Sequence, residues 1–175
     1  MAIVKDVLAT SDLIAALAEH DIRHLLSAED PQSLSLDPAE LIITLVEHPE
    51  PRLREAIIPL FLRHPEYSQG VPSIVDHLSS PAALILRHLY TAAVYLQRLW
   101  QGTLGLYLGP FRTLPDYFGE SEFGLPAPER QFGEAGLRQL ARLFEEETGD
   151  NWLSTYETVM DLFLTQLALE ANRYE

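Results

Sequence analysis

Two histidines in the segment "HDIRH", His20 and His24, have the spacing of a metal-binding pair. Residues four apart on an α-helix share a face, and such a pair holds zinc in metalloproteases that use a neighbouring glutamate as general base. Asp21 occupies the glutamate position, but its shorter side chain would hold the carboxylate farther from a metal-bound water. No third ligand is obvious downstream.

The alternative interpretation of His20 and His24 is that they lie near the C-terminus of a helix, where positive charge is favourable. We therefore expect neither a metal site nor a cofactor. A metal-dependent hydrolase that uses His20, His24 and a carboxylate brought near by folding is kept as the alternative function.

Other catalytic signatures are missing from the sequence. There is no cysteine, which excludes thiol catalysis, Cys-ligated zinc, iron–sulfur clusters and a disulfide scaffold. We also find no nucleophile elbow, no phosphate-binding P-loop and no dinucleotide-binding fingerprint. These exclusions favour a protein that is not an enzyme.

Two arginines interrupt the longest apolar stretch, Ala82 to Leu108, which predicts a long central helix that is buried on nearly all sides. Arg87 and Arg98 are eleven residues apart, so they lie on one stripe of that helix. Because a buried arginine must be paired, each is predicted to form a structural ion pair or to bind an anion. The candidate partners are carboxylates of the following loop, Asp116, Glu120 and Glu122.

The loop after the long helix is rich in both glycine and proline, yet it carries several aromatic rings. Disordered segments are poor in aromatic residues, and long loops in compact domains are commonly functional. We expect the loop to be ordered and to pack over the end of the long helix, where Gly102 and Gly105 have no side chains and allow another segment to approach closely. Some rings are predicted to stay exposed as anchors for a partner, because aromatic residues dominate interface hot spots. The candidates are Tyr117, Phe118 and Phe123.

The elements that would position these residues all have helical patterns. Ser11, Asp37 and Asn151 are predicted N-caps, Gly149 a helix end, and Pro59 the site of a kink or a helix end. No strand-like alternation between hairpin turns is present. The predicted fold is an all-α bundle of about seven helices around the long central one, formed as a single domain over residues 1–175.

The composition limits the partners. The formal net charge is −14, and an acidic surface repels nucleic acid and anionic lipid while it favours a basic protein. Neither a secretory signal nor a stretch apolar enough to span a membrane is apparent. We expect a cytoplasmic protein that binds no nucleic acid directly and no membrane.

The segment "LIITLVEHPEPRLREAIIPLFL", over about residues 40–62, resembles the helical hairpin of a HEAT repeat. In that family two antiparallel helices meet at an Asp-Pro-like corner. The matching corner in this sequence is His48 to Pro51. The second helix opens with an apolar residue followed by arginine, matched here by Leu53 and Arg54. A solenoid would need further copies at a period of about 40 to 47 residues, and none is visible. The resemblance implies a local surface for protein–protein contact.

A second resemblance lies farther along the chain. The run "YLQRLWQGTLGLYLG", with "LPDYFGESEFGLP" after it, looks like small bacterial helical proteins that are associated with minimal nucleotidyltransferases. It implies the role of a regulatory or antitoxin-like partner in a toxin–antitoxin pair.

Together these observations predict a helical protein–protein interaction module with no catalytic residues. The predicted partner surfaces are the hairpin from Glu40 to Arg63, with Arg52 and Arg54, and the loop from Pro110 to Phe132, with its three candidate rings.

Overall fold

A computed structural model describes residues 8–25 and 35–173. Within those ranges the chain forms nine α-helices and two short 3-10 helices, at Pro65–Gly70 and Arg130–Gly133, and no β-strand. The all-α prediction is confirmed. The α-helices are α1 (Thr10–Glu19), α2 (Pro38–Glu47), α3 (Pro51–Glu55), α4 (Ile57–Arg63), α5 (Val71–His77), α6 (Ser80–Leu99), α7 (Gln101–Leu108), α8 (Glu134–Thr148) and α9 (Trp152–Asn172).

Several helix ends lie where the capping residues predicted them. The Asp37 carboxylate accepts the Glu40 amide at 2.8 Å while the Glu40 carboxylate accepts the Asp37 amide at 3.1 Å, which is a complete capping box. Gly149 ends α8 with φ of +78°, a left-handed conformation that suits glycine. Asn151 caps α9 by accepting the Ser154 amide.

The first helix is shorter than its apolar spacing predicts. It begins after Ala9, so Ser11 lies inside the helix rather than at its cap, and it ends at Glu19. Asp21 takes a left-handed conformation with φ of +64°, which turns the chain away from the helix axis. The residues from Ile22 to Leu25 are therefore irregular.

Two predicted long helices are interrupted. Pro59 lies inside α4, and the break falls three residues earlier at Ala56, because proline cannot donate to the carbonyl of residue i−4 and its ring crowds that turn. The predicted element from Ala82 to Leu108 breaks at Trp100 into α6 and α7. Of the residues in α7, only Leu104 is buried.

Helix α6 is the centre of the fold, as predicted. Every residue from His88 to Arg98 is buried, and α6 contacts α2, α4, α5, α7 and α8. The apolar core is continuous from α1 to α9. None of the helices in the described ranges has the length and apolar character that crossing a bilayer requires.

Candidate functional site

The aromatic loop packs on α6. Phe118 is only 6% exposed and contacts the Tyr90 ring edge-on at 6.1 Å between centroids. Tyr117 stacks on the same ring at 5.5 Å, and Phe123 meets Phe144 of α8 edge-on at 5.6 Å. The prediction of an ordered, docked loop is confirmed. Phe118 is buried in the core, so it offers no surface to a partner, and Tyr117 and Phe123 are half-buried.

The loop does not pack where the glycines predicted. A Cβ added at Gly102 or Gly105 would meet no neighbouring atom within 4 Å, so the loop does not lie against these two glycines. The loop is instead fixed to the middle of α6 by buried polar side chains. The Tyr90 hydroxyl donates to the Pro115 carbonyl at 2.6 Å, and the Tyr95 hydroxyl donates to the Pro126 carbonyl at 2.5 Å.

Gln97 extends this attachment toward the start of the loop. Its side chain, which is 1% exposed, donates to the Arg112 carbonyl at 2.9 Å and accepts the Leu114 amide at 2.7 Å. Buried backbone groups need such partners because water cannot reach them. The loop is thus held by hydrogen bonds from α6 as well as by its rings.

Arg87 and Arg98 both have structural partners in or near the loop. Arg87 Nη1 lies 3.3 Å from Glu122 Oε2, one of the predicted pairs. Arg98 donates to the Leu114 carbonyl at 2.8 Å, and its Nε lies 3.5 Å from Glu129 Oε1. Neither Asp116 nor Glu120 forms an ion pair with these arginines, and the Asp116 carboxylate instead accepts the backbone amides of Gly119 and Glu120.

His20 and His24 do not form a pair on one helix face. Because α1 ends at Glu19 and Asp21 reverses the chain, His20 caps the helix while His24 lies beside Gln166 of α9. Both ring nitrogens of His20 have partners, the Tyr67 hydroxyl at 2.8 Å and the Leu36 carbonyl at 2.9 Å. Burial lowers the pKa of His24. Across residues 8–25 and 35–173 no three potential ligands cluster as a metal site would require.

Arg52 and Arg54 occupy different surroundings although both belong to α3. Arg52 forms an exposed ion pair with Glu50. Arg54 lines a cleft between α3, α6, the end of α8 and the start of α9. Only Arg54 among the predicted partner-binding residues therefore lies at this cleft.

The cleft has a volume of about 560 Å³, which is within the usual range for ligand sites. Its lining comprises Pro51, Arg54, Glu55, Leu84, Ile85, His88, Leu89, Phe144, Glu147, Thr148, Asp150, Asn151, Trp152 and Thr155.

Three aromatic side chains of the lining contact one another, and we call them the floor of the cleft. The rings of His88 and Phe144 are stacked with centroids 3.7 Å apart, and Trp152 stands edge-on to His88 at 4.4 Å. The Trp152 indole N–H donates to Thr148 Oγ1 at 3.0 Å, which fixes the orientation of the ring. Contacts within the chain therefore hold all three rings.

His88 is neutral at physiological pH. It is 3% exposed, and burial lowers its pKa to about 3, because an imidazolium ion would lose its hydration there. Its Nε2 lies 2.6 Å from the Tyr156 hydroxyl, whose pKa burial raises. The aromatic floor consequently carries no positive charge.

The charged side chains of the lining are mostly acidic. Glu55, Glu147 and Asp150 line the cleft with a single cation, Arg54. Burial raises the pKa of Glu55, as does repulsion from Asp150, while Arg54 opposes the change. The cleft thus combines apolar and aromatic walls with an excess of negative charge.

Protein-family models, curated proteins and solved structures were compared with this chain, and none of them matches it. The resemblances to a HEAT hairpin and to partners of nucleotidyltransferases therefore stay predictions. The function has to be argued from the geometry of the cleft.

Sequence patterns did not identify the cleft. Trp152 has the spacing of a buried stripe along α9, and Glu147 belongs to an acidic run typical of a solvated helix face. The available signal was His88, one of the few polar residues within a mainly apolar helix. Its stacking partner is 56 residues away at Phe144, a separation that single-sequence reasoning does not bridge.

Proposed function

We propose that this protein is a non-catalytic, helical protein–protein interaction module, and that a basic segment of another protein binds in the cleft between α3, α6, α8 and α9. The observation that carries the proposal is the cleft itself, which is lined by three acidic residues as well as by the aromatic floor. Within the described ranges, neither Glu55, Glu147 nor Asp150 has an ion-pair partner within 4 Å.

The charge of the whole chain supports a basic partner. A formal net charge of −14 attracts cationic proteins over long distances and speeds their association. Aromatic side chains in a concave site then supply the apolar contact on which hot spots depend. We propose as the specific partner a small nucleotidyltransferase, which this chain would regulate in an antitoxin-like manner.

The test compares two charge reversals on the same helix. Glu147 lines the cleft, whereas Glu146 is exposed on α8 outside its lining. Glu147→Lys and Glu146→Lys change the net charge equally, so long-range attraction falls by the same amount in both. The full chain is used to capture its partner from the native cell, and the identified partner is then purified for affinity measurements.

We expect Glu147→Lys to weaken binding by about tenfold or more, because it places a like charge against the basic segment. Glu146→Lys should change the affinity by less than about threefold, as distant surface charges do under salt screening. Equal effects of the two substitutions would contradict the proposal, as would binding that neither one changes.

A further inference from the structure

The chemistry of the cleft selects among cationic groups. Of its three aromatic rings, His88 and Phe144 are buried and stacked on each other, so the half-buried Trp152 is the ring with accessible surface, and aromatic faces attract cations that lie over them. Tryptophan attracts cations more strongly than the other rings. The Trp152 N–H is already bonded to Thr148, so the indole contributes its face rather than a hydrogen-bond donor.

The acidic residues of the lining, Glu55, Glu147 and Asp150, which we call the rim, supply hydrogen-bond acceptors for a cation. Glu55 is half-buried, and its pKa is raised first by burial and also by repulsion from the nearby carboxylate of Asp150. A cation placed between them would remove that repulsion. Arg54 is the one basic residue of the lining, so the excess of negative charge is two.

A guanidinium group fits this combination better than an ammonium or a metal ion. It is planar, more weakly hydrated, stacks on aromatic faces and donates to a carboxylate through two parallel N–H groups. A metal ion is disfavoured because the described residues contain no cluster of three suitable ligands. The volume of about 560 Å³ also exceeds what a single ion needs.

We propose that the cleft binds an arginine side chain, with the guanidinium over the Trp152 indole and its N–H groups donating to the carboxylate of Glu55. This inference rests on the proposed function, because the arginine would belong to the basic segment of the partner.

The test uses small probes and the isolated full-length protein, so it does not depend on the partner. N-acetyl-arginine amide is titrated while NMR follows the indole N–H signal of Trp152, which Trp152→Phe assigns against that of Trp100. The citrulline analogue has nearly the same shape without the charge, and the lysine analogue has the charge without the planar group.

We expect saturable shifts of the Trp152 signal with the arginine probe and binding about tenfold weaker for both other probes, as charge-assisted, bidentate pairing requires. Glu55→Gln should weaken arginine binding about tenfold, because it removes the charge and keeps the shape. Glu146→Gln is the matched control and should bind like the wild type. Circular dichroism verifies that each variant is folded, and Asp150→Asn provides a second variant of the rim.

The outcomes separate this inference from the proposed function. Equal binding of arginine and citrulline, or no saturable shift with arginine, would overturn the arginine site. If Glu147→Lys still weakened binding of the purified partner in that case, the proposed interaction module would stand without the arginine site. Arginine binding together with a partner unaffected by Glu147→Lys would support the arginine site and overturn the proposed function.

Discussion

Acidification should destabilise this protein through His88, the buried histidine of the cleft floor. Burial lowers its pKa from 6.5 to about 3 in the folded protein, whereas the unfolded chain binds a proton near pH 6.5. Between these values the unfolded state holds more protons than the folded state. Stability from this group is therefore fully present above the unfolded pKa and is lost as the pH falls toward 3.

The loss is large enough to measure at mild pH. Each tenfold difference in proton affinity is worth about 1.4 kcal/mol, and linkage for these two pKa values gives a loss of about 2 kcal/mol between pH 7 and pH 5. Glu55 acts in the opposite direction, because its pKa is raised in the folded protein. Other groups also titrate in this range, so the wild type alone cannot isolate His88.

Comparison with His88→Gln isolates the contribution, because glutamine offers the Tyr156 hydroxyl a polar partner that does not titrate. Urea denaturation at pH 7, 6 and 5 gives the free energy of unfolding of both proteins. The variant should lose about 2 kcal/mol less than the wild type over this interval. His77→Gln, at an exposed histidine of α5, should retain the wild-type dependence. Parallel losses in the wild type and His88→Gln would refute the reasoning.

Two further predictions concern the aromatic loop. Phe118→Ala should lower the free energy of unfolding by roughly 3 to 5 kcal/mol, because it leaves a cavity at a buried ring. Phe132→Ala, at a ring that is 71% exposed, should change it by no more than about 0.5 kcal/mol. Equal losses of the two variants in urea denaturation would contradict the burial argument. Gln97→Leu should cost about 3 kcal/mol, because it leaves the Leu114 amide and the Arg112 carbonyl unpaired. It should also speed tryptic cleavage after Arg112, while Gln101→Leu at an exposed position should do neither.

Helix ends could be predicted from the local sequence wherever a capping residue is present. Asp37, Gly149 and Asn151 specify helix ends through contacts within a few residues, and the structure confirms all three. The end of α1 could not be predicted, because Asp21 adopts its left-handed conformation in a long-range setting. The Gln166 amide donates to the Asp21 carbonyl, from 145 positions away along the chain.

The sequence predicted that the loop packs on the long helix, but not the part of the helix on which it packs. Composition indicated that the aromatic residues would pack, and the need of Arg87 for a carboxylate was met by Glu122. Gly102 and Gly105 indicated the end of the long helix, which is the wrong part, because free space beside a helix does not hold a loop unless side chains there bind it. The tyrosine hydroxyls of Tyr90 and Tyr95 do so at the middle of α6, and a pattern of apolar residues does not reveal where a hydroxyl finds its acceptor.

The pairing of polar groups differs between the two sides of α6. On the loop side, Gln97 and Arg98 bind groups within the chain, so that side completes the core and a partner would have to break those bonds. On the cleft side, the carboxylates of Glu55, Glu147 and Asp150 are free of ion pairs within the part of the chain that the structure describes. A cation binding there would lose its own hydration but would break no existing pair, which is why we assign the partner surface to the cleft rather than to the aromatic loop.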